Sequence, residues 1–194
     1  MANMSELVEV ELKARIDHVG HVRAELERLA PGVEETYHDT YYDLPDEALT
    51  LRDQELRVRT VTNEAGSRSV LTFKTAPVEE ASGSRPEHET ELADPAVADT
   101  VLKALGAVEL ISFRKLCRNH RFTAEGREVL ATLVEVPEID GTYLEVETLA
   151  PADEVDAGLS TIRTILARLG IREGDLTTET YTGAVATARK HDIG

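Results

Sequence analysis

The sequence predicts an α+β protein built on a closed eight-stranded antiparallel β-barrel with flanking helices. Three observations carry this reading. Apolar and polar residues alternate with a period of two in roughly eight segments, the pattern of strands with one apolar and one polar face. Most of these segments are joined to their sequence neighbours by short turns, which implies antiparallel pairing. Eight antiparallel strands can close on themselves and so remove their exposed edges. An open sheet covered by helices is the rival arrangement.

The elements follow in order. Residues 8–17, VEVELKARID, open the chain as a strand, and Asp17 is placed to cap a helix over 18–30 with Val19, Val22, Leu26 and Leu29 on one stripe. Pro31-Gly32 ends that helix. Strands are predicted over 34–43, 55–62 and 67–75, the last two joined as a hairpin by the turn NEAG at 63–66. Residues 76–84 read as a loop and 85–92 as a further strand. Asp94-Pro95 opens a helix that ends at Gly106, with proline at the first helical position where its missing N–H costs nothing. The chain returns to strand from 108, turns at 124–127, comes back over 128–136, turns at Asp140-Gly141 and runs on over 142–149. A helix over 153–169, with Leu159, Ile162, Ile165, Leu166 and Leu169 on its apolar stripe, and a short one from Thr180 to Arg189 complete the chain.

At 194 residues the sequence is expected to be one domain, with the barrel over about 6–149 and the C-terminal helices over about 151–190. Apolar residues make up 41% and charged residues 30%, which fits a folded rather than a disordered chain. No apolar run is long enough to span a bilayer, and the first residues have neither the basic nor the apolar region of a secretory signal. Cys117 is the single cysteine, which fits a reducing compartment; cytoplasm is the expectation. With 37 acids against 21 bases, a net charge of −16, the chain lacks the broad basic footprint of a duplex nucleic-acid binder.

The placement of the charges says more than their sum. Glu9, Glu11, Lys13 and Arg15 share one face of the first strand, opposite Val8, Val10 and Leu12. Arg57 and Arg59 oppose Leu56 and Val58; Thr72 and Lys74 oppose Leu71 and Phe73. Arg85, Glu87, Glu89 and Glu91 line up on another strand, and Tyr143, Glu145 and Glu147 oppose Leu144 and Val146 on the last. Each polar face taken alone could simply be solvated. Closing the sheet, however, sends one face inward. With helices against the apolar face, Glu9, Glu11, Glu87, Glu89, Glu145 and Glu147 share a lumen with Lys13, Arg57, Arg59, Lys74, Arg85 and Arg118. Clustered carboxylates suit a hard cation such as Mg²⁺ or Mn²⁺, and clustered arginines and lysines suit phosphate chains. Together they describe a metal–polyphosphate site.

The same residues resemble a known family. Glu9-Val10-Glu11-Leu12-Lys13 matches the ExExK signature of the CYTH-domain proteins, or triphosphate tunnel metalloenzymes, which include class IV adenylyl cyclases and thiamine and inorganic triphosphatases. HDTYYD (38–43), LRVR (56–59), LTFK (71–74), RPEHE (85–89), a basic strand at 114–121 and LEVE (144–147) follow in family order, and the Tyr181 segment resembles the family's C-terminal helix. The resemblance implies an eight-stranded tunnel with charged walls. It implies divalent metal, Mg²⁺ or Mn²⁺, on Glu9, Glu11, Glu145 and Glu147 with Glu87 or Glu89 contributing, and triphosphate on Lys13, Arg57, Arg59, Lys74, Arg85 and Arg118. Two departures stand out. Glu135 occupies a position where the family usually has aspartate, and Lys115 and Arg118 are three apart where the family alternates K-x-R. Either a bulge restores both to one face or Lys115 points elsewhere, and Arg118 is preferred for the lumen.

The activity this implies is metal-dependent attack on a triphosphate, with Lys13, Glu11 and Arg59 at the reacting centre. Lys13 could serve as a base only if the lumen depressed its pKa. Hydrolysis of tripolyphosphate, ATP or thiamine triphosphate stands ahead of cyclisation of ATP to cyclic AMP, because cyclisation also needs an adenine pocket and the chain has no Trp and three Phe. A polyphosphate-binding module without catalysis is the non-enzymatic rival. His18 and His21 read as surface helix residues, Cys117 as a buried strand residue, and Asp39, Tyr41 and Asp43 as support for the second strand. The C-terminal helices could plug a tunnel mouth or make a homodimer contact.

Overall fold

The computed structural model describes residues 7–79 and 82–191. Residue 6, the expected start of the barrel, and residues 80 and 81 of the predicted loop lie outside them. Among the described residues are the strands β1 (Leu7–Ile16), β2 (Val33–Asp43), β3 (Glu55–Asn63), β4 (Gly66–Lys74), β5 (Arg85–Leu92), β6 (Val108–Ala124), β7 (Arg127–Glu135) and β8 (Thr142–Pro151). They form a closed antiparallel barrel in the order β1-β5-β4-β3-β2-β6-β7-β8. The open-sheet alternative is thereby excluded. Four α-helices flank it: α1 (Val19–Leu29), α2 (Pro95–Ala104), α3 (Val155–Arg168) and α4 (Tyr181–His191).

Local chemistry explains most boundaries. Asp94 caps α2 by accepting hydrogen bonds from the N–H groups of Ala96 and Val97, with Pro95 in the first turn. The β6–β7 hairpin turns on Glu125 and Gly126, both at positive φ, the geometry whose twist matches flanking antiparallel strands. At the start of the first helix the structure differs from expectation. His18 rather than Asp17 occupies the cap position, it makes no side-chain cap bond, and its carbonyl accepts from the N–H groups of His21 and Val22.

The apolar face of the alternating strands points outward. Val8, Val10 and Leu12 of β1, Ala131 and Leu133 of β7, and Leu144 and Val146 of β8 pack beneath Val22 and Leu26 of α1 and Leu159, Ile162, Ile165 and Leu166 of α3. Burying such side chains stabilises by roughly 1.5–3 kcal/mol each. Gly158 allows α3 to approach closely, since a Cβ there would lie 3.3 Å from a methyl of Val10.

Closure of the barrel is uneven. The β1–β8 register runs from Leu7↔Pro151 to Ile16↔Thr142, whereas β1 meets β5 at Val8↔Pro86 and Glu9↔Arg85. Pro86 has no N–H to give to the ladder, so the pairing thins there. Further along β1 the C-terminal segment takes over: Ala14 bridges to Leu176, and the Thr177 N–H donates to the Lys13 carbonyl at 2.9 Å. The chain then enters the barrel, where Tyr181 and Val185 of α4 pack with Tyr37, Tyr41, Phe113, Val134 and Tyr143 in a second apolar cluster. Arg189 secures α4 from outside by donating to Glu138 and to the Ser112 carbonyl. The helix that sequence left as a plug or a dimer contact therefore closes part of the barrel's own interior.

Candidate active site

The polar faces of the strands line two confluent cavities of about 1050 Å³ and about 870 Å³, which share Glu9, Glu11, Lys13, Tyr41, Glu55 and Lys74 among their lining residues. Register places these groups. Glu11 lies opposite Glu147 and Lys13 opposite Glu145 across β1–β8. Arg57 lies opposite Tyr41 and Arg59 opposite Asp39 across β2–β3, while Lys74 lies opposite Glu87 across β4–β5.

One wall is acidic. Glu9, Glu11 and Glu147 each present a carboxylate oxygen within 4.8 Å of the others, a group that could hold a metal ion. Burial in the tunnel raises the Glu11 pKa from 4.5 to about 8, reinforced by the nearby charges of Glu145 and Glu9. Burial likewise raises Glu147, with Glu9 and Glu11 adding to the effect, and raises Glu9 despite the attraction of Lys74. Three carboxylate oxygens at this spacing supply part of the all-oxygen shell that a hard divalent cation takes, so the residues fit such an ion.

The opposite wall is mixed. Arg59 donates from Nε and Nη2 to the two oxygens of Asp39, both at 2.7 Å, and its guanidinium lies 4.4 Å over the Tyr37 ring. Lys115 approaches Asp39 at 3.9 Å and lies 4.8 Å over the ring of Tyr181. Arg57 is ringed by Glu55, Glu87 and Glu89 at 3.7–4.0 Å and donates to Thr72 at 3.4 Å. Burial pushes the Asp39 carboxyl up, but Arg59, Arg57 and Lys115 outweigh it and hold the group below the usual carboxylate range. Lys74 joins the two walls, paired with Glu9 and, at 3.2 Å, with Glu87.

Set against the sequence reading, the structure gathers Glu9, Glu11, Lys13, Arg57, Arg59, Lys74, Lys115, Glu87, Glu89, Glu145 and Glu147 around the cavities. Glu145 lies outside the three-carboxylate group. Burial pushes its pKa up, yet Lys115 and Lys13 together with the Tyr181 hydroxyl bring it below the ordinary value. Glu87 and Glu89 face Arg57, with Glu87 also on Lys74 and Glu89 accepting from Thr72 at 2.7 Å. Lys13 donates to the Glu179 carbonyl and lies 4.6 Å from the centre of the Tyr181 ring. Arg85 stands at a tunnel mouth, donating to the carbonyls of Gly83 and Asp53 at 3.1 and 3.0 Å.

The preference for Arg118 over Lys115 is corrected. Pairing of β2 with β6 runs without interruption from Tyr37↔Lys115 to Val33↔Asn119, and the irregularity falls instead near Leu110. With no bulge between 115 and 118 the two side chains emerge on opposite faces. Lys115 enters the lumen, while Arg118 is carried outside and binds Glu27 of α1 and Glu34 of β2. Glu135 is exposed at the end of β7 and lies 3.5 Å from the Thr142 hydroxyl. The structure adds Asp39, Tyr37 and Tyr181 to the site. HDTYYD carried a readable signal for Asp39, an acid on the same parity as Tyr37 and Tyr41 opposite an arginine strand.

The CYTH domain family model matches residues 7–181. The chain belongs to the CYTH family. Among its relatives by sequence is a protein of Methanocaldococcus jannaschii provisionally named an adenylate cyclase, 26% identical over 178 residues and spanning 90% of this chain and 97% of that protein. Similar solved structures include the PH1819 protein of Pyrococcus horikoshii, with a TM-score of 0.79 at 25% identity over 92% of this chain and 98% of that one. Another is a Hippeastrum protein, provisionally named an adenylyl cyclase and described as having a dominant triphosphatase activity, with a TM-score of 0.64 at 19% identity over 93% and 95%. CYTH proteins are enzymes dependent on divalent metal, and the acidic group described above could hold such an ion. No helix among the described residues is long and apolar enough to cross a membrane.

Proposed function

We propose that the tunnel is the active site of a metal-dependent triphosphatase, with water as nucleophile and inorganic or organic triphosphate as substrate. The observation that carries this reading is the meeting of the Glu9–Glu11–Glu147 group with Lys13, Lys74, Arg57, Arg59 and Lys115 around one tunnel. Glu9, Glu11 and Glu147 would hold Mg²⁺ or Mn²⁺, which when bound supplies charge neutralisation and polarisation of phosphate oxygens. Arg57, Arg59, Lys74 and Lys115 bind the chain of phosphates and offset the negative charge that grows on the leaving group. Arg85 meets the substrate at the mouth. The confined walls exclude bulk water and so strengthen each of these charge–charge contacts.

Cyclisation of ATP is the second reading, favoured by the name of the Methanocaldococcus relative. It would draw on the same walls but needs the ribose hydroxyl, rather than water, beside the reacting phosphorus. One domain working in the cytoplasm remains the setting we infer, consistent with a single, buried Cys117.

The test is to incubate the purified protein with Mg²⁺ or Mn²⁺ and, separately, tripolyphosphate, ATP and thiamine triphosphate, then resolve the products by chromatography. The expected result is orthophosphate with the matching diphosphate. Cyclic AMP and pyrophosphate from ATP would replace hydrolysis by cyclisation, and absence of turnover with every substrate and both metals would leave a binding module in its place.

A further inference from the structure

We propose that Asp39 is the positioning residue for Arg59, holding its guanidinium so that the Nη1 hydrogens and the second Nη2 hydrogen are turned to the substrate. The inference rests on the triphosphate reading of the tunnel. Asp39 is fully buried, and its two oxygens take the Nε and Nη2 hydrogens of Arg59 in a forked pair. That geometry fixes the guanidinium plane as well as its position. Among the described residues Nη1 makes no hydrogen bond to protein, and Arg59 lines the cavity.

The second constraint comes from below. The Tyr37 ring supports the face of the guanidinium, and Tyr37 is itself held by its hydroxyl, which donates to Glu35 at 3.2 Å and accepts from Asn119 Nδ2 at 2.6 Å. Asn119 is tied in turn by the Thr132 hydroxyl at 2.8 Å. Arg59 is thus fixed along one edge by β2 and across one face by a network spanning β2, β6 and β7. Arg57 has no comparable cradle, since its carboxylate contacts lie at 3.7–4.0 Å.

Asp39 does not quench the wall it organises. Asp39 takes only the Nε edge of Arg59, with Lys115 nearby at 3.9 Å, so the rest of the guanidinium stays available to a polyanion. A carboxylate retained only to cancel charge would leave Arg59 neutralised and without work. One that orients a cation reduces the reorganisation needed when phosphate arrives.

A double-mutant cycle tests this. Wild type, Asp39→Asn, Arg59→Met and the double variant are compared for kcat and KM on tripolyphosphate with Mn²⁺, for equilibrium binding of tripolyphosphate, and for thermal stability. If Asp39 acts through Arg59, Asp39→Asn lowers kcat/KM by roughly tenfold or more in the wild-type background and causes no further loss beside Arg59→Met. Equal losses in both backgrounds, or no loss in the wild-type background, would overturn the proposal. Should Asp39→Asn fail to fold, Tyr37→Leu removes the supporting ring without stranding a charge, and it must show the same dependence on Arg59. A wild-type protein that neither binds nor turns over tripolyphosphate would sink the triphosphate reading itself, whereas an active wild type with additive losses sinks only the role of Asp39.

Discussion

On β1 and β8, Glu9, Glu11 and Glu147 face one another across a gap shorter than 5 Å; on β2, β3 and β6, Asp39 sits among Arg57, Arg59 and Lys115. Both walls are confined and both are charged, yet burial acts on them in opposite directions. Where like charges meet, burial and repulsion add, and Glu11 holds its proton up to a pKa of about 8. Where one acid meets three bases, attraction outweighs burial and Asp39 stays ionised. The first wall sets three carboxylates together with Lys74 on Glu9 alone, whereas the second interleaves Arg57, Arg59 and Lys115 with Asp39, Glu55, Glu87 and Glu89. On the proposed reading a divalent metal would complete the one and a phosphate chain would bind the other.

The largest effect that would sharpen this contrast is expected at Lys115. Lys115→Met removes a buried cation from the basic wall, and kcat/KM for tripolyphosphate should fall by roughly 10- to 100-fold, in line with a charge-assisted contact of roughly 1.5–3 kcal/mol. An activity within a factor of two of wild type would break the assignment of that wall.

The acidic wall makes a prediction about pH. A carboxyl whose pKa is raised by folding favours the folded state below its unfolded value, and that contribution disappears as pH rises through the folded value. Glu11 is raised from 4.5 to about 8, so the metal-free protein should lose thermal stability progressively as pH rises from about 4.5 to about 8, and the loss should level off above that. Mn²⁺ should restore it by binding the ionised carboxylates. A melting temperature indifferent to pH over this range, or lowered by Mn²⁺, would contradict the account.

Lys74 sits at the junction and already occupies Glu9. Removing it should help a metal ion, because the internal cation no longer competes. Lys74→Met is expected to tighten Mn²⁺ binding to the substrate-free protein severalfold, about 1 kcal/mol, as read by titration calorimetry. Weaker Mn²⁺ binding in this variant would show that the lysine supports the site rather than competing with it. The smallest effect is expected outside the barrel, where Arg118→Ala breaks partly exposed pairs with Glu27 and Glu34. It should cost up to about 1 kcal/mol of stability and leave turnover unchanged.

Much of this was legible before the structure. VEVELKARID and TYLEVETL each separate an apolar from a charged face by a period of two, and barrel closure turns that parity into inside and outside without knowledge of any contact. Parity fails only where the count is disturbed. The K-x-x-R spacing of Lys115 and Arg118 needed a bulge to serve the lumen, and the bulge lies near Leu110 instead, so the arginine chosen from sequence belongs to the outer wall. Glu145 could not be separated from Glu9, Glu11 and Glu147 by sequence either. All four sit on lumen faces, and the distinction arises from Lys13, Lys115 and Tyr181, which meet Glu145 from three other segments. The thin β1–β5 closure and the path of residues 176–181 into the barrel are long-range features that local pattern does not encode.

That division among the carboxylates is the core of the account, and Mn²⁺ binding tests it directly. Mn²⁺ bound per chain is measured by electron paramagnetic resonance for wild type, Glu11→Gln and Glu145→Gln, with folding checked by circular dichroism. The account predicts that Glu11→Gln abolishes tight Mn²⁺ binding while Glu145→Gln keeps most of it. Loss of binding in Glu145→Gln as complete as in Glu11→Gln, or full binding in Glu11→Gln, would contradict it.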